Sequence, residues 1–114
     1  QIYDMYNKYL ADIDWLTLPP ELPKDSTNSY YFYWIQLENR NELAKFLKDN
    51  GVYSTYRYWP ISDVKFFSKD NNIDLPNTEH AASKTLNIPL HTSLSDDDVR
   101  KVVKLIIEFG LSLK

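Results

Sequence analysis

Residues 29–38 read SYYFYWIQLE, and the run Tyr30-Tyr31-Phe32-Tyr33-Trp34-Ile35-Gln36-Leu37 within them contains neither glycine nor proline. Aromatic side chains suit a pleated surface, so an unbroken run of this kind predicts a strand buried on both faces, the central strand of a sheet. Immediately after it, Asn39 and Glu42 make an Asn-x-x-Glu capping pattern, and Leu43, Phe46 and Leu47 supply the apolar face of a helix that stops at Asn50-Gly51. Val52 to Trp59 then reads as a second strand, closed by Pro60 because a residue before proline is pushed to extended geometry. Further on, Phe66 and Phe67 fit a short helical turn and Thr78 to Leu86 a brief helix. Asn87 to Leu90 fits a third short strand that Pro89 confines to a sheet edge.

On the N-terminal side, Ile2, Met5, Tyr6, Tyr9, Leu10 and Ile13 recur at three- and four-residue spacing and predict a helix ending before Pro19. Leu16 to Asn28, with Pro19, Pro20 and Pro23, reads as an extended linker. At the other end Ser95 and Asp98 form a second capping pair. Val99, Val102, Val103, Ile106 and Phe109 follow at helical period, with Gly110 as the expected stop. The expected fold class is α+β: a small, mostly antiparallel sheet of about three strands packed against helices. Residues 1–15 would be a connecting helix, 16–28 a linker and 29–114 the domain proper.

At 114 residues and 43% apolar, the chain has the size of one domain, able to bury about two-thirds of its unfolded surface. A formal charge of −3 favours neither nucleic acid nor an anionic membrane as partner. The absence of cysteine excludes disulfides, thiolate nucleophiles and sulfur-ligated metals. No apolar stretch approaches the roughly 20 residues of a membrane span. A soluble, cytoplasmic protein is expected. The chain opens with Gln1 rather than methionine and without a basic, then apolar, leader, so Gln1 is read as a cut end. Two glycines leave no room for a glycine-rich phosphate loop.

Few constellations carry chemistry. Asp96, Asp97 and Asp98 lack the glycine and alternating oxygen ligands of a calcium loop and read as helix-start charges. His80 and His91 have neither zinc-ligand spacing nor a third ligand nearby, so no metal site is expected. Lys69 and Lys84 offer amines, but nothing local desolvates them, and both read as solvated surface. The aromatic run lacks the basic, glycine-containing signature of RNA-stacking sheets. Most unusual is Thr55-Tyr56-Arg57-Tyr58-Trp59-Pro60. A guanidinium beside aromatic rings at a strand end can grip a carboxylate or phosphate while the rings shape a pocket; equally, it can be a surface arginine stacked on tyrosine.

The order of these pieces resembles the C-terminal part of the DegT/DnrJ/StrS sugar aminotransferases, pyridoxal-phosphate enzymes of the aspartate aminotransferase fold. The resemblance covers about four-fifths of the chain. It rests on the strand Tyr30 to Leu37, then Arg40-Asn41-Glu42-Leu43 with Phe46-Leu47, and on Asn50-Gly51-Val52 with Thr55 and Tyr58-x-Pro60, where the family often has Gly-Ile-x-Thr-x-x-His-Tyr-x-Pro. The second half adds Leu75-Pro76-Asn77-Thr78-Glu79, Leu86-Asn87-Ile88-Pro89-Leu90-His91, Leu94-Ser95 and the acidic-capped helix. Two positions depart from the pattern: Arg57 stands where many members have histidine, and Ser62-Asp63 replaces a proline- and leucine-rich continuation.

The resemblance implies a parent enzyme that moves an amino group, usually from glutamate, to a keto-sugar nucleotide, working as a homodimer with pyridoxal 5'-phosphate. In that family the Schiff-base lysine, the aspartate facing the cofactor's pyridine nitrogen and most phosphate contacts lie in a larger preceding domain. This chain would therefore hold no catalytic residue and bind no cofactor alone. Its expected contribution is a substrate wall: Arg57 as a charge-assisted donor, with Tyr58 and Trp59 bracketing the substrate. The rival expectation is a free-standing α+β binding or protein-interaction module that presents its aromatics to a partner.

Overall fold

In the computed structural model, which describes residues 1–67 and 74–113, the elements run α1 (Ile2–Leu10), β1 (Tyr33–Gln36), α2 (Arg40–Asp49), a 3-10 turn (Ile61–Asp63), α3 (Pro76–Lys84), β2 (Thr85–Ile88) and α4 (Asp96–Ser112). β1 and β2 pair antiparallel, with Tyr33 opposite Ile88, Trp34 opposite Asn87, Ile35 opposite Leu86 and Gln36 opposite Thr85. Two single bridges extend this ribbon on its outer sides, Thr17 against Gln36 and Thr55 against Asn87. The architecture is α+β, with two strands among the described residues where about three were expected.

The central strand is shorter than the aromatic run predicts, for a local reason. Tyr30 has φ +50 and its amide donates to Asn28 Oδ1 at 2.8 Å, a turn that keeps the chain out of extended geometry until Tyr33. Nor is the strand buried on both faces: Tyr33, Ile35 and Leu37 point inward, while Trp34 and Gln36 are half-buried. The expected strand Val52 to Trp59 shrinks to the bridge at Thr55, because beyond it Tyr56, Arg57, Tyr58 and Trp59 turn to solvent. The expected strand Asn87–Leu90 starts two residues earlier and ends before Pro89, where a missing amide would break the ladder. That shift follows from α3, which takes Pro76 into its first turn and ends at Lys84 rather than Leu86. Lys69 lies outside the described residues.

Glycine acts differently at its two positions. Gly51 has φ +75, and the Gly51 amide donates to Lys48 O at 3.0 Å while Val52 N–H reaches Leu47 O at 2.8 Å, so α2 stops as predicted. Gly110 does not stop α4, which runs on to Ser112. A Cβ at Gly110 would lie 2.4 Å from Trp15 Cζ2, so the glycine admits the indole against the helix. Asn39, expected to cap α2, makes no side-chain cap bond. Ser95 and Asp98 do form a reciprocal box at α4: the Ser95 hydroxyl accepts from Asp98 N–H, and Asp98 Oδ2 accepts from Ser95 N–H at 2.9 Å.

The Ser95 hydroxyl also donates to Asp98 Oδ2 at 2.7 Å, and this bond, followed by the one from the Ser95 amide, holds the Asp98 carboxyl below its usual range. A carboxyl with a lowered folded value adds stability above its unfolded value and loses it as pH falls through the folded one. Replacing Asp98 by asparagine is therefore expected to lower the unfolding midpoint near neutral pH, and the gap with the wild type to close as pH falls through the lowered folded value of Asp98. Urea melts between pH 2 and 7 measure it; a gap that persists at the lowest pH would assign the effect to packing.

α4 packs on α1 and α2, and the ribbon closes the core. Tyr6, Leu10, Tyr33, Ile35, Leu43, Leu47, Leu86, Val99 and Ile106 are fully buried, each aliphatic side chain contributing about 1.5–3 kcal/mol by leaving water. Among the described residues no helix is long and apolar enough to cross a membrane.

Candidate functional site

β2 and the segment after α2 shape two neighbouring clefts, and Arg57 lines both. The larger, about 820 Å³, lies between Arg40 at the start of α2, the loop Tyr56–Pro60 and the outer side of α3. The smaller, about 480 Å³, lies between Tyr31 and Phe32, Gly51–Tyr53, the end of β2 and α4. The residues singled out from sequence, Arg57, Tyr58 and Trp59, share the wall of the larger cleft. Tyr58 is 70% exposed and Trp59 68%, so the surfaces of both rings are open to a partner or ligand.

Arg57 Nη1 donates to the Tyr31 hydroxyl at 3.1 Å. A guanidinium carries further N–H donors, and the Arg57 side chain lines the larger cleft. The stacked arginine expected as the alternative role for Arg57 exists, but it is a different residue. Arg40 lies 4.2 Å over the Tyr56 ring and donates from Nη1 to Thr85 O at 3.2 Å, while its Nε is buried without a partner among the described residues. One signal for it was present in the sequence, because a cation in the first turn of a helix opposes the macrodipole and needs a tertiary partner.

Asn87 was also missed, although an amide between Leu86 and Ile88 in an apolar strand is conspicuous. It is 4% exposed, and its Nδ2 donates to Thr55 O at 3.4 Å and to Arg57 O at 3.2 Å; its Oδ1 has no partner among the described residues. Each donation is worth about 1 kcal/mol net, while an orphaned buried acceptor costs about 1–3 kcal/mol. The two roughly offset, so the Asn87 side chain adds little net stability. Its Nδ2 does tie the Arg57 carbonyl to β2.

The larger cleft mixes signs, being lined by Asp63 and Glu79 as well as Arg40 and Arg57, so it suits a ligand carrying both anionic and hydroxyl groups. Lys84, read as a solvated amine, is a quarter exposed and paired with the exposed Glu38, whose carboxyl is held below its usual range by that hydrogen bond and then by the charge. No group of three or more metal-ligating side chains occurs among the described residues, and Asp96, Asp97 and Asp98 serve the start of α4.

Residues 1–107 match the family model of the DegT/DnrJ/EryC1/StrS aminotransferases. The chain is 40% identical over 104 residues to a dTDP-4-dehydro-2,3,6-trideoxy-D-glucose 4-aminotransferase of Saccharopolyspora spinosa, covering 90% of this chain and 26% of that protein. It is 28% identical over 109 residues to the dTDP-4-amino-4,6-dideoxy-D-glucose transaminase of Shigella dysenteriae, covering 90% and 30%. The crystal structure of the aminotransferase TlmJ from Streptoalloteichus hindustanus superposes with a TM-score of 0.92 at 39% identity, over 98% of this chain and 31% of that one. The chain thus spans between a quarter and a third of the length of these relatives. With the family model matched across nearly its whole length and the fold reproduced, the chain belongs to the DegT/DnrJ/EryC1/StrS aminotransferase family.

Proposed function

We propose that this chain is the small C-terminal part of a pyridoxal-phosphate-dependent enzyme that transfers an amino group, from glutamate, to a keto-sugar nucleotide. The observation that carries this reading is the family match over residues 1–107, on a chain that spans between a quarter and a third of its relatives' length. In the parent, residues 1–15 connect to a larger cofactor-binding domain, 16–28 form a linker and 29–114 the small domain, and two parent chains assemble as a homodimer.

The cofactor supplies an electron sink for moving the amino group. The described residues do not fit it by themselves: Lys84 is engaged by Glu38, and no described lysine lines the larger cleft. No step is therefore assigned to this chain through the cofactor. Its own residues bind and orient. Arg57 donates to an anionic or hydroxyl oxygen of the sugar nucleotide, Tyr58 and Trp59 flank the sugar or base, and closure of this wall excludes water from the reacting centre.

The parent and the 114-residue chain, each supplied with pyridoxal phosphate, glutamate and a 4-keto-sugar nucleotide, test this directly. Only the parent should form amino sugar and show the visible absorbance of bound cofactor. Turnover by the short chain at the parent's rate would overturn the assignment of the chemistry to the larger domain.

A further inference from the structure

We propose that Asn87 is a positioning residue that sets the orientation of Arg57 towards the amino acceptor; the inference rests on the reading of the Arg57–Trp59 loop as a substrate wall. After its bridge at Thr55 the chain leaves the sheet, so among the described residues no ladder hydrogen bond holds the backbone of Arg57, Tyr58 or Trp59. Of the two carbonyls that Asn87 Nδ2 reaches, Thr55 O already accepts the Asn87 backbone amide at 2.8 Å. The bond that only the side chain supplies is the one to Arg57 O, at 3.2 Å. Arg57 is thus held at both ends: its carbonyl by Asn87 and its guanidinium by the Tyr31 hydroxyl at 3.1 Å.

The strand position itself does not ask for an amide. Asn87 lies between the buried Leu86 and Ile88 and, among the described residues, leaves its own Oδ1 without a partner, an arrangement an apolar side chain of similar volume would avoid. What leucine cannot supply is a donor aimed at Arg57 O. A guanidinium at the end of a long side chain amplifies a small rotation of its backbone into a displacement larger than hydrogen-bond geometry tolerates.

The test is a double-mutant cycle in the full-length parent, read as KM and kcat for the keto-sugar nucleotide, alongside the rate of the separate half-reaction with the amino donor. Asn87→Leu should raise KM for the sugar nucleotide about tenfold and leave the donor half-reaction within about twofold. In an Arg57→Ala background the same substitution should add less than about twofold, because the group it positions is gone. Should the leucine variant fail to fold, Asn87→Ser, whose hydroxyl is too short to reach Arg57 O, is read the same way. A full effect of the Asn87 substitution in both backgrounds, equal loss in both half-reactions, or no change in KM overturns the inference while leaving the substrate wall standing. If Arg57→Ala alone leaves the kinetics unchanged, the substrate wall and this inference fall together.

Discussion

Arg57→Ala in the full-length enzyme is expected to lower kcat/KM for the sugar nucleotide by about 10- to 100-fold, the worth of one charge-assisted hydrogen bond at about 1.5–3 kcal/mol. Its folded stability should stay within about 0.5 kcal/mol of the wild type, as for most surface substitutions. The two halves of that expectation have one cause. Arg57 is exposed, and its side chain contacts the fold through an exposed hydrogen bond to Tyr31, so removing it unpairs nothing in the core. Arg57→Lys should recover only part of the loss, because an ammonium keeps the charge but cannot hold Tyr31 and a ligand oxygen with one planar fork. Steady-state kinetics on the three proteins, beside thermal melts, decide it. Wild-type kinetics in the alanine variant would reduce Arg57 to a surface arginine tied to Tyr31.

Tyr33→Ala should cost about 3–5 kcal/mol, the usual range for truncating a buried ring, against typical domain stabilities of about 5–15 kcal/mol. Tyr33 has no solvent exposure, and its ring meets Tyr3 at 4.8 Å and Tyr6 at 5.0 Å between centroids. It is therefore the point where β1 locks onto α1. Burial pushes its phenol well above the usual tyrosine range, so the hydroxyl stays protonated and donates to Asn7 Oδ1 at 2.7 Å. Tyr33→Phe keeps the ring and loses this bond, and should cost about 1 kcal/mol. Urea unfolding of the two variants separates ring from hydroxyl; comparable losses in both would mean that the hydrogen bond, not the packed ring, ties the strand to the helix.

The contrast between Tyr33 and its neighbours shows how far local pattern carries. Tyr30, Tyr31 and Tyr33 belong to one aromatic run, yet Tyr30 is 53% exposed, Tyr31 60% and Tyr33 0%. Propensity rates the three alike; the turn made by Asn28 with Tyr30 decides which of them enters the sheet. The same holds for Gly110, which sequence spacing marks as a helix end and which the approach of Trp15 turns into a packing contact inside α4.

What the sequence determined by itself was whatever depends on residues close along the chain: the helices, with the Gly51 stop and the Ser95–Asp98 box, and the ordered motif series that carries the family. It also singled out Arg57, Tyr58 and Trp59, because three such side chains in succession are unusual for a strand end. Only the tertiary structure decided that Arg40 is the arginine stacked on tyrosine, that Tyr31 is the partner of Arg57, and that Asn87 holds the Arg57 backbone from across the sheet. The partners in the last two contacts stand 26 and 30 residues apart. Hydrogen-bond geometry acts over about 3 Å, and no periodicity along a chain encodes which distant donor a carbonyl will meet once the core has closed.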